Sequence, residues 1–153
     1  MNLEEINDLV GYAGVNPEMR MWICQTLNRL PDDVARYAAE HCLFLSVGDV
    51  AGITIPNRHS ALYDVDRWEN DRDSRRWIIV LSDQVESDEA HCLIAHEIGH
   101  AWRGDDCFGP PSDDDEVETA KLVKSWGFEG RWADPDFCDA PRRESLRVEE
   151  GGE

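Results

Sequence analysis

Apolar residues change period along this chain, and the changes divide it into elements. Leu3, Ile6, Leu9 and Val10 recur at helical spacing. Asn16-Pro17-Glu18 then supplies a cap, a first-turn proline and an early acid for a second helix running to about Leu30. That helix carries Met21, Trp22, Ile23 and Leu27, residues suited to a core or docking face. A third, short helix starts near Pro31-Asp32-Asp33, with Val34, Tyr37, Ala38 and Cys42 on one side. After it the period shortens. Residues 43–47 and 52–56 are apolar or β-branched runs separated by Gly48-Asp49, which predicts strands joined by a turn, and Trp77-Ile78-Ile79-Val80-Leu81 is the strongest strand signal of the chain. Residues 64–76 are dense in both charge signs and predict an exposed arm around Trp68.

From Ser87 the helical period returns. Ser87 is a good N-cap, Asp88 and Glu89 place negative charge in the first turn, and Arg103-Gly104 closes the run with a cation and a stop. A helix over 87–103 follows, largely buried through Leu93, Ile94, Ala95 and Ile98. Turn chemistry fills 104–111. Ser112-Asp113-Asp114-Asp115-Glu116 then reads as the capped, acidic start of another helix, carrying Val117, Ala120, Leu122 and Val123 to a C-cap at Gly127. Beyond Arg131 the chain is rich in Asp, Pro, Arg and Glu. The pattern therefore predicts a single α+β domain over 1–130 and a flexible acidic tail over 131–153.

Composition narrows the partners. A chain of 153 residues with 41% apolar content can fold as one domain with a modest core. Its formal charge of −18, with Lys and Arg scattered, repels phosphate backbones and disfavours nucleic acid. The same charge suits a basic protein partner, or serves solubility alone. No stretch is long and apolar enough for a membrane span, and Met1-Asn2-Leu3-Glu4-Glu5 lacks a basic start and an apolar segment, so a cytoplasmic location is expected. Cys24, Cys42, Cys92, Cys107 and Cys138 form no CxxC pair and read as reduced thiols. Cys107 and Cys138 follow the motif below but lack a metal-ligand spacing.

Chemistry concentrates in His96-Glu97-Ile98-Gly99-His100. Histidines four apart on a helix project from one face, so both imidazoles can reach one Zn²⁺, and Glu97 stands beside it as a general base. A bland core helix has little reason to carry His96, Glu97 and His100, because burying them unpartnered costs several kcal/mol. Catalytic zinc takes a third protein ligand. One pattern places it six residues after the second histidine, at Asp106, but Arg103 then holds the usual glycine position and no methionine follows Met21. The other pattern takes a Glu from the next helix.

The segment 94–102 with Glu116-Val117-Glu118-Thr119-Ala120 and Trp126-Gly127-Phe128 resembles small bacterial and phage zincin-like domains, similar to the ImmA/IrrE-type metallopeptidases. The resemblance covers roughly residues 77–128. It implies a zincin-like fold: helices in front, a small mixed or antiparallel sheet, then two helices sharing the zinc. It implies His96, His100 and Glu116 as zinc ligands and Glu97 as the base. The chain departs from the pattern at Thr119, where Ala is usual, which leaves Glu118 as an alternative ligand. It further implies an edge strand that holds an extended peptide, with 77–81 the matching run. Oxyanion stabilisers are open by type among His59, Tyr63 and Arg103. His41 and His91 read as structural. The expected function is a zinc endopeptidase acting on one or few protein partners. The alternatives are a zinc-holding binding module and an acidic interaction protein or DNA mimic.

Overall fold

A computed structural model describes residues 2–48, 52–56, 76–104 and 113–139. Among these are six α-helices, one 3-10 helix and four strands. The N-terminal helices begin where side chains can satisfy their free N–H groups. In α1 (Leu3–Leu9) the Asn2 side chain accepts from the Glu5 N–H at 2.9 Å and the Glu5 carboxylate accepts from the Asn2 N–H at 3.0 Å. In α2 (Pro17–Arg29) Asn16 accepts from the Met19 N–H at 2.8 Å, while Pro17 has no donor to satisfy. In α3 (Asp32–His41) Asp32 and Asp33 sit at the positive end of the helix dipole. Ile6, Met19, Ile23, Leu27, Val34 and Ala38 from these helices are buried in one core.

The sheet contains β1 (Gly11–Ala13), β2 (Cys42–Ser46), β3 (Gly52–Pro56) and β4 (Trp77–Leu81), in the order β1-β2-β4-β3. β1 and β4 both run parallel to β2, and β3 runs antiparallel to β4. One face of this mixed sheet meets the helices. Phe44, Ile79 and Thr54 stand in register across it and all three are buried. On the opposite face Ile53 and Ile55 are exposed.

This order corrects two expectations. The runs at 43–47 and 52–56 are not neighbours, because β4 lies between them. The edge strands are β1 and β3, not the 77–81 run, and β3 is the edge beside the 87–103 helix. The physical reason is that β4 is apolar throughout, with Trp77, Ile79 and Leu81 buried and Ile78 and Val80 half-buried, so it gains most from strands on both sides. β3 alternates Thr54 with exposed isoleucines and tolerates the edge. The three-residue β1 was not anticipated. The arm expected at 64–76, apart from Arg76, lies outside the described residues.

α4 (Ser87–Arg103) packs against α2, α5 (Asp113–Ser125) and β3. Its cap residue is Glu86, with Ser87 already helical, and Gly104 ends it in the left-handed region at φ 69°. The expected tail boundary at 131 is also corrected. A 3-10 helix (Arg131–Ala133) and α6 (Pro135–Cys138) pack onto α5, with Ala133 and Cys138 buried. Asp134 caps α6 by accepting from the Asp136 N–H at 3.0 Å, and the Arg131 Nε–H donates to Glu89 on α4 at 2.8 Å. The stretch reads as polar but is anchored by Trp132 and Phe137, whose rings meet edge to face at 5.5 Å. Residues 140–153 lie outside the described residues. No helix among the described residues is long and apolar enough to cross a membrane.

Candidate metal centre

His96 and His100 lie one turn apart in the middle of α4, where every residue from Cys92 to Ala101 is buried. Their rings meet edge to face with centroids 4.8 Å apart, and their Nε2 atoms are separated by 3.1 Å. Glu116, in the first turns of α5, reaches across with Oε2 at 2.9 Å from His96 Nε2 and Oε1 at 3.2 Å from His100 Nε2. Two imidazole nitrogens and a carboxylate therefore converge on one point. Metal–ligand bonds of about 2.0–2.1 Å in tetrahedral geometry place neighbouring ligand atoms about 3.3 Å apart, which is the scale seen here. The donor set fits Zn²⁺.

The far side of His96 strengthens the fit. Its Nδ1 lies 2.7 Å from the carbonyl oxygen of Trp132. A carbonyl only accepts, so Nδ1 carries a proton, and Nε2 is left as the nitrogen whose lone pair a metal would take up in place of the proton it shares with Glu116. Such a contact is the usual outer support of a metal-bound histidine. Sequence reasoning missed Trp132 because its neighbours looked like a tail. The usable signal was Asp134-Pro135, a cap and first-turn proline, flanked by Trp132 and Phe137.

Glu97 is buried and is not a member of the converging set. Its carboxylate packs beneath β3, with Thr54 Oγ1 at 2.6 Å from Oε2 and 2.9 Å from the Glu97 carbonyl. Gly52 leaves the necessary space, since a Cβ there would stand 2.9 Å from Oε1. Burial pushes the Glu97 carboxyl above the usual carboxylate range; His100, His96 and the Thr54 hydroxyl oppose the rise, and the Glu116 charge adds to it. For Glu116 the balance is reversed. Burial raises it, but hydrogen bonds from His100 and His96, with their charge, outweigh burial and hold it at about 2.

The remaining candidates separate cleanly. Glu118 faces solvent and pairs with Lys121 at 2.9 Å, so it stands outside the convergence. Asp106, His59, Tyr63 and Cys107 lie outside the described residues. Arg103 docks on the start of α5, its Nη1 donating to the Asp115 carbonyl at 2.9 Å and to Thr119 Oγ1 at 3.0 Å. His91 meets Gln25 at 2.9 Å and His41 packs on the Tyr37 ring, both away from the cluster. Cys138 is buried and its thiol points to backbone carbonyls of the 3-10 helix.

A cavity of about 390 Å³ shares Trp132 with the site and is also lined by Val85, Glu86 and Leu93, the last of these one turn before Glu97 on α4. No family model, curated protein or solved structure matches the chain.

Proposed function

We propose that this protein is a zinc-dependent metallopeptidase that cleaves peptide bonds in one or few protein partners. The observation that carries the reading is the placement of Glu97: a buried carboxyl of raised proton affinity, next in sequence to His96 and outside the cluster formed by His96, His100 and Glu116. Bound there, Zn²⁺ supplies Lewis-acid polarisation of a carbonyl and lowers the pKa of water towards ~7.

The chain's own residues supply the rest. His96, fixed by the Trp132 carbonyl, and His100 offer nitrogen ligands, and Glu116 offers an oxygen ligand that stays ionised. Glu97 takes a proton from the attacking water and returns it to the leaving amine. Its raised proton affinity suits that task better than the unperturbed value of a surface carboxylate would. The neighbouring cavity, about 390 Å³, falls within the range of clefts that take small ligands or part of a peptide. The edge position of β3, above Glu97, supports an extended peptide as substrate, since its outer edge can take another strand.

The decisive experiment compares wild type with Glu97→Gln at equal zinc occupancy, scoring new peptide termini in a proteome-derived peptide pool by mass spectrometry. Wild type should generate termini that the variant produces about 10² to 10⁴ times more slowly. Equal product from both forms, or none from either, would remove the peptidase reading and leave a zinc-holding binding module.

A further inference from the structure

Thr119 stands on α5 three residues after Glu116 and is fully buried. Among the described residues its hydroxyl oxygen has three polar neighbours: the Asp115 carbonyl at 2.7 Å, Arg103 Nη1 at 3.0 Å and His100 Nδ1 at 3.2 Å. A hydroxyl offers one proton and two lone pairs. The Asp115 carbonyl can only accept and the Arg103 guanidinium can only donate. The shortest contact, reaching back one helical turn to a carbonyl, takes the proton. Arg103 takes one lone pair. What remains for His100 is the second lone pair, and only a protonated Nδ1 can use it.

We propose that Thr119 is a positioning residue for the metal centre, its hydroxyl accepting a hydrogen bond from His100 Nδ1–H and so turning the Nε2 lone pair of that ring towards His96 and Glu116. His96 and His100 are then held in the same tautomer by different devices, a main-chain carbonyl for one and a side-chain hydroxyl for the other. Arg103 makes the second device directional, because its donation and the Asp115 carbonyl together leave the hydroxyl no freedom to donate to the imidazole. This inference rests on the reading of His96, His100 and Glu116 as metal ligands and does not depend on peptidase activity.

The other branch of Thr119 has a separate task. A Cβ built on Gly99 would lie 2.8 Å from the Thr119 Cγ2 methyl, so that methyl fills the notch over Gly99 where α4 and α5 approach. The two branches can therefore be tested apart. Thr119→Val keeps the shape and removes the hydroxyl; Thr119→Ser keeps the hydroxyl and removes the methyl. In the valine variant Arg103 retains the Asp115 carbonyl and carboxylate as partners.

The test uses the full chain, stripped with chelator and reloaded. Zinc affinity is measured by competition with a chromophoric chelator, Co²⁺ absorption reports ligand geometry, and the melting temperature of the metal-free form reports packing. Thr119→Val should lose 10- to 100-fold in zinc affinity and shift the Co²⁺ bands. Thr119→Ser should keep both but melt lower when metal-free. Wild-type affinity and spectrum in Thr119→Val, or equal losses of affinity in both variants, would overturn the role of the hydroxyl. A wild-type chain that takes up neither metal would instead overturn the metal reading, and this inference with it.

Discussion

Glu97 on α4 and Glu116 on α5 both feel the charge of the same two imidazoles, yet their surroundings drive them to opposite proton affinities. Glu97 is enclosed beneath β3 by Gly52 and Thr54, and desolvation dominates. Glu116 keeps 23% of its side chain exposed and receives hydrogen bonds from both rings, so ionisation dominates. Two carboxyls with one pair of neighbours thus separate into different roles through environment alone. The one that stays ionised suits a ligand; the one that favours its proton suits a base.

The largest expected effect tests the ligand side of this contrast. Glu116→Gln should weaken zinc binding by more than the 10- to 100-fold typical of losing an outer support, while Glu118→Gln should change it little. Chelator competition on the two variants decides the matter; the reverse ranking would move the ligand to Glu118 and break the comparison.

A smaller effect sharpens it through pH, in metal-free protein. Glu116 is depressed from 4.5 to about 2, so its contribution to stability is present above about 4.5 and is lost as pH falls towards 2. Glu97 is raised from 4.5, so its contribution is fully present below that value and fades as pH rises above it. Denaturant titrations should therefore show opposite slopes. The gap between wild type and Glu116→Gln should close on going down from pH 4.5, and the gap between wild type and Glu97→Gln should close on going up. Parallel slopes would mean that the two carboxyls share one environment.

The parts of this arrangement that were legible in the sequence are those set by local chemistry. Acids in the first turn and Gly104 at the end bound the 87–103 helix, and spacing alone puts His96 and His100 on one face. Asn16-Pro17 and Asp32-Asp33 mark α2 and α3 equally well. Strand order was not legible, because β2 and β3 are neighbours in sequence but β4 enters between them through long-range pairing. Residues 131–139 looked like a tail because composition averages over a stretch, whereas Trp132 and Phe137 bind it locally. Thr119 looked like a departure from a small-residue position. Its use depends on Arg103 and His100 being brought to it by the packing of α4 on α5.

The claim on which the account depends is that His96, His100 and Glu116 together hold one metal ion. Elemental analysis of protein purified without chelator measures this directly, with His96→Ala and His100→Ala alongside. Wild type should hold about one zinc per chain, and both variants should lose it. Full stoichiometry in either histidine variant, or a wild-type chain that remains metal-free after zinc loading, would contradict that claim.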